Sequence, residues 1–238
     1  MLIIKAIKTT LPFIMILIVS GCSTRTQDAA YTAATDVMTW APLVTGATLD
    51  ATTWDDDLTD SIYKKDKNDK TFSEDDADNL RTFSAAITYS TAAFVDENST
   101  TKFKRFAVQS GALYAGRFTV EQMNKYKHTS PDGKYDEAFG SNHAVTPFVA
   151  AALTRRNIRQ IDIPIWSKYS INTFSYLSAT GSAYERVEEG LHSVSDQMYS
   201  IAIGNFIALF INDAFMERDY QLGVEFNEDP KLTLDISF

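Results

Sequence analysis

A single cysteine, Cys22, rules out an intrachain disulfide, so side-chain packing alone must hold the fold together. Histidine is scarce as well. His128, His143 and His192 are the whole supply, and any imidazole chemistry has to be assigned among these three side chains. Positive charge is in deficit, with 22 Lys and Arg against 31 Asp and Glu and a net charge of −9. Recognition of a phosphate backbone needs clustered Lys and Arg, so nucleic acid is excluded as a partner. Long apolar runs are nearly missing. Residues 11–19 form the main one; residues 198–215 are interrupted by Asn205, Asn212 and Asp213 and read as a buried helix of a bundle. The acidic stretch 50–78 includes Asp66-Lys67-Asn68-Asp69-Lys70, which lacks the glycine and closing glutamate of a calcium loop and reads as a solvated loop.

The first apolar run has a defined meaning. Lys5 and Lys8 precede it, and Val19-Ser20-Gly21-Cys22 follows at once. A short basic segment, a short apolar segment and small residues before a cut site describe a cleavable signal peptide over residues 1–21. The quartet ending in Cys22 resembles the bacterial lipobox, which implies acylation of the Cys22 thiol and a membrane anchor reached from outside the cytoplasm, since each buried methylene contributes about 0.8 kcal/mol. Ser23 after the cysteine implies the outer membrane and a periplasm-facing protein. Cleavage removes two lysines and no acid, taking the net charge from −9 to −11 over 217 residues, enough for one domain with a sizeable core.

Beyond the signal, residues 22–31 read as a lipidated tether and 32–217 as one helical domain. Residues 32–49 suit a helix interrupted near Pro42. Residues 80–95 suit a second, capped by Asp76 or Asp78. Residues 103–126 suit a long third helix, with Phe106, Leu113, Phe118 and Met123 at roughly helical intervals. Ser130-Pro131-Asp132-Gly133 marks a loop. Residues 144–153, 171–177 and 185–215 complete the bundle. Residues 218–238 differ: 220–226 and 231–238 alternate with period two around Asn227-Glu228-Asp229-Pro230, the pattern of a small hairpin. The fold class expected is all-α.

Two histidines stand in suggestive surroundings. Phe139-Gly140-Ser141-Asn142-His143-Ala144 is a small-residue turn leading into an apolar helix, and N–H groups at a helix start bind anions. Arg186, His192 and Asp196 follow the spacing R-x5-H-x3-D. On a helix His192 and Asp196 would share a face, and the carboxylate would fix the imidazole tautomer and raise the basicity of its other nitrogen. Arg186 adds a permanent charge and a fork matched to phosphate.

R-x5-H-x3-D resembles the third signature, S-R-x5-H-x3-D, of the type 2 phosphatidic acid phosphatase (PAP2) superfamily, which includes the bacterial class A acid phosphatases. Gly140-Ser141-Asn142-His143 lies where its second signature, P-S-G-H, would lie, about 40 residues upstream. Pro131 falls where the proline of the first, K-x6-R-P, is expected. Thr35-Asp36-Val37-Met38, Ala41-Pro42 and Gly46 are similar to the family's first helix. The resemblance implies an all-helical bundle with the site between helices. It makes His192 the nucleophile that becomes a phosphohistidine, Asp196 its orienting carboxylate and His143 the general acid. Arg186 and the amide and hydroxyl of Ser141 would bind phosphate oxygens. It implies a phosphomonoester or lipid phosphate substrate, and no metal or cofactor.

The chain departs from the signatures. Met123 stands for the first motif's Lys and Ser130 for its Arg, Asn142 for the second motif's Gly and Gly140 for its Pro, and Glu185 for the third motif's Ser. Two of three cationic ligands are thus expected to be missing, with an anion beside the third. Lys125, Lys127 and His128 lie nearby in a register that does not suit a regular helix. Two readings remain open: a lipid-anchored phosphatase, or a non-catalytic relative serving as a binding or structural module of the envelope. They separate on whether His143 and His192 share a pocket with Arg186.

Overall fold

The computed structural model describes residues 24–63, 70–123, 127–129, 136–138, 140–216, 220–225 and 231–236. Eight helices make up nearly all of it: α1 (Thr24–Thr35), α2 (Val37–Asp50), α3 (Trp54–Ile62), α4 (Glu74–Phe94), α5 (Ser99–Met123), α6 (Asn142–Gln160), α7 (Ile165–Glu188) and α8 (Val194–Met216). Short antiparallel pairs accompany them. β1 (Lys127–Thr129) pairs with β2 (Asp136–Ala138), and β3 (Tyr220–Glu225) with β4 (Lys231–Ile236), where the alternating tail predicts a hairpin.

α6 and α8 form the centre. α6 is buried on almost every side, from Ala144 and Val145 through the run 147–154, as expected of a helix enclosed by others. It packs against α4, α5, α7 and α8. Small residues let these helices approach closely: a Cβ on Gly204 of α8 would lie 2.8 Å from the Val145 carbonyl oxygen of α6. α8 is long and apolar enough to cross a membrane, but half of its apolar window is buried. It packs against α1, α2, α3, α5 and α6, as a core helix does.

Polar side chains fix the helix ends around the site. Ser73 and Asp76 form a capping box at the start of α4, each side chain accepting from the other's backbone N–H. α3 clamps the start of α8: Asp55 accepts from the Ser195 N–H at 2.9 Å and from its hydroxyl, and Thr59 Oγ1 accepts from the Val194 N–H at 3.1 Å. At the far end of α6, a buried Arg105 bonds Glu97, Asn157 and Gln160, tying α5 to α6.

Several expectations change. The stretch read as a tether is helical from Thr24 onward, because Ala29 and Ala33 bury against the bundle. The first helical stretch breaks at Asp36, which caps α2 by accepting from Met38 N at 3.0 Å, whereas Pro42 sits inside α2. The acidic loop contains α3. The cap of α4 is Ser73, earlier than Asp76 or Asp78. The stretch 185–215 is two helices, broken at Gly190. Cys22, the signal segment 1–21 and Ser130-Pro131 lie outside the described residues.

Candidate active site

Five elements meet at one end of the bundle around a cavity of about 490 Å³, lined by Arg81, Arg117, Ser141, Asn142, His143, Thr146, Arg186 and His192. α4 contributes Arg81 and α5 contributes Arg117. The first turn of α6 contributes Ser141 to Thr146, the last turn of α7 contributes Arg186, and the α7–α8 connection contributes His192. The four predicted residues Ser141, His143, Arg186 and His192 are therefore brought together.

The α6 start keeps the small-residue turn read from the sequence, but not all of its donors are free. Gly140 has φ +94°, a conformation that L side chains rarely adopt, and it turns the chain into the helix. Ser141 is the N-cap, yet its side chain makes no capping bond. Its hydroxyl oxygen and Asn142 Oδ1 are buried with no hydrogen-bond partner among the described residues. The Ser141 N–H, expected to bind phosphate, instead donates to Ser200 Oγ at 2.9 Å. The hydroxyl is what remains for an oxyanion.

His143 Nε2 lies 3.0 Å from Asp78 Oδ1, and Asp78 also pairs with Arg81 at 3.0 Å. The bond from His143 holds the Asp78 carboxyl below its ordinary range. An ionised carboxylate only accepts, so Nε2 carries a proton. Burial, then Arg186, push His143 below its ordinary value near 6.5, while Asp78 opposes them.

His192 and Asp196 differ from the sequence expectation of one helix face. α7 ends at Glu188, and Gly190 takes φ +72°. Gly190 N–H donates to Val187 O and Leu191 N–H to Arg186 O, each at 3.0 Å, which is a Schellman C-cap. His192 thus lies in a connection, while Asp196 lies in the first turn of α8. Asp196 Oδ2 is 3.9 Å from His192 Nδ1, an ion-pair distance too long for a hydrogen bond. Asp196 exchanges weak capping bonds with Ser193 instead. The His192 Nδ1 is buried. Nε2 is then the nitrogen left for the cavity.

Arg186 Nη1 lies 3.2 Å from Glu185, whose side chain is fully buried. Burial raises the Glu185 pKa. The expected anion therefore backs Arg186 from the interior and is absent from the residues lining the cavity.

Arg81 and Arg117, which the sequence reading did not single out, line the cavity together with Arg186. Arg117 is the nearest cation upstream of Met123 on the same helix, and that position is the signal that could have found it. Arg81 carries no comparable signal, because α4 is distant in sequence. Met123 lies near Gly140, its methyl 3.7 Å from where a Cβ there would stand. Nothing is described of the side chains of Lys125, Lys127 and His128. Among the described residues no group of three or more His, Cys, Asp or Glu is arranged to hold a metal.

A family model described as PAP2 superfamily matches residues 113–219, a span that takes in Arg117, Ser141, His143, Arg186, His192 and Asp196. No curated protein and no solved structure matches the chain. The helical bundle and the signature residues gathered at one cavity agree with this match over residues 113–219, which supports membership of the PAP2 superfamily.

Proposed function

We propose that this protein is a phosphatase that hydrolyses phosphomonoesters through a phosphohistidine on His192, and that it is anchored to the envelope by a lipid on Cys22. The observation that carries the catalytic reading is the convergence of His143, His192 and Arg186 on one cavity with Arg81 and Arg117. His192 Nε2 attacks phosphorus, and the bond from phosphorus to the ester oxygen breaks. The departing alkoxide takes a proton from the imidazolium form of His143, which becomes the neutral imidazole. Water then attacks the phosphohistidine, giving its proton to His143 and releasing phosphate and neutral His192. Arg186, Arg81, Arg117 and the Ser141 hydroxyl stabilise charge on the phosphoryl oxygens. Arg81 and Arg117, each also paired with a carboxylate of its own helix (Asp78 at 3.0 Å and Glu121 at 2.8 Å), add cations beside Arg186 and favour this reading over a non-catalytic module.

The test is phosphate release from a panel of phosphomonoesters by a chain lacking residues 1–22, over pH 4–8. Hydrolysis is expected, with loss of activity in His192→Ala. Activity that survives His192→Ala removes the assignment, and a wild type that hydrolyses nothing supports the non-catalytic module.

A further inference from the structure

We infer that the outer face of α7 is an interface between two copies of this chain, docked antiparallel about a two-fold axis. The inference is independent of the phosphatase reading above, because it concerns the half of α7 remote from Arg186.

The first support is what α7 turns outward. Its inner side holds the buried Ser175, Ser178, Ala179 and Ser182 and packs against α4 and α6. On the opposite side Trp166, Tyr169, Ser170, Thr173, Phe174 and Leu177 follow the i, i+3, i+4, i+7, i+8, i+11 spacing of one helix face, and all six are exposed. Trp166 is 68% exposed, Tyr169 67%, Phe174 63% and Leu177 60%. An aromatic side chain carries roughly 150–250 Å², so these four present about 500–600 Å². The largest apolar patch of an ordinary monomer is about 300–600 Å². With Ile165 and the two hydroxyl residues, also exposed, the face approaches the roughly 800 Å² that each partner gives to a stable complex.

The second support is the order of the residues, which fits the face to itself. Read from either end, the stripe runs large, large, small, small, large, large. Turned end for end about the midpoint between Ile171 and Asn172, Trp166 falls on Leu177, Tyr169 on Phe174 and Ser170 on Thr173. In a two-fold contact residue i meets j and j meets i, so this is the spacing that an antiparallel pair of α7 helices needs. The small central side chains let the two backbones approach, and the large ones pack to either side. Ser170 Oγ donates to Trp166 O of its own helix at 3.0 Å, so burying it strands no donor. Charge favours a second copy over a bilayer. From Ile165 to Tyr184 α7 carries one charged residue, Lys168, and no acid. Two copies of an acidic chain therefore meet here without opposing carboxylates. A helix that lies on a membrane is instead rich in Lys and Arg beside its apolar stripe.

The experiment reads the mass of the full chain in mild detergent by sedimentation, for the wild type, Tyr169→Glu, Phe174→Arg and the two substitutions combined. The wild type should be a dimer. Each single substitution buries a charge against an apolar side chain of the other copy and should weaken dimerisation by about a hundredfold or more. The combination should restore dimerisation to within about tenfold of the wild type, because opposite charges then face each other across the axis. Within one helix these two positions do not face each other, so the rescue reports contact between copies. Both positions are exposed, so all variants should keep the wild-type circular dichroism. A monomeric wild type, a dimer that survives either single substitution, or single variants that the combination fails to restore overturns the inference. A second readout separates a second copy from a bilayer. In vesicles of brominated phosphatidylcholine, the fluorescence that Trp166→Phe removes is compared with its value in unbrominated vesicles. It should be unquenched, and quenching by the brominated lipid overturns the inference in favour of a membrane contact.

Discussion

Asp78 reaches His143 across 65 residues of sequence, and that separation explains why only half of the site could be read beforehand. Arg186, His192 and Asp196 were legible because their spacing is fixed by a helix end and a short connection. Asp78 and Arg81 come from α4, outside the stretch matched by the family model, and no local pattern marks them. Their roles are testable one at a time. Asp78→Asn removes a group that favours protonated His143, against Arg186, Arg81 and the burial that oppose it. The His143 pKa should fall further, and the alkaline limb of kcat/KM should move to lower pH. Nitrogen-detected titration of the imidazole provides the same reading without turnover. An unmoved titration would mean that Asp78 does not hold the ring. Arg81→Ala and Arg117→Ala should each weaken inorganic phosphate binding by roughly 10- to 100-fold, since a charge-assisted hydrogen bond contributes about 1.5–3 kcal/mol. Calorimetry checks this, and unchanged affinity would remove the residue from the clamp.

Helix ends, more than helix bodies, decide where the candidate catalytic groups stand. The apolar spacing of 103–126 and 144–153 was enough to place α5 and α6. It could not locate the break at Gly190, because both sides of that glycine have helical composition. Only the left-handed conformation at Gly190 separates α7 from α8 and turns His192 toward Arg186. Gly190→Ala should cost about 1–2 kcal/mol, the penalty of an L side chain there, and should lower activity by displacing His192. Thermal unfolding and phosphate release check the two effects. At the next helix start, Asp55→Ala removes the acceptor of the Ser195 N–H and should cost about 1–2 kcal/mol, as loss of a strong cap does. A variant as stable as the wild type would show that α3 does not clamp α8.

At the scale of the whole molecule, an acidic chain of net charge −9 gathers three arginines at one end of a helical bundle. The all-α class was legible from periodicity alone. The gathering was not, since it depends on α4 and α5 meeting the ends of α6 and α7. Such a cavity attracts a dianion through a field that salt screens within about 8 Å at physiological ionic strength. KM for a phosphomonoester should therefore rise with ionic strength while kcat stays nearly constant, and a flat KM would contradict a charge-based clamp. The central claim is the covalent step on His192, and the most direct measurement is phosphoryl capture. The chain lacking residues 1–22 is mixed with a radiolabelled phosphomonoester and quenched in alkali, which preserves phosphohistidine, before peptide mapping. The account predicts label on the peptide containing His192, absent in His192→Ala. Turnover with no label on that peptide, or label retained in His192→Ala, would contradict it.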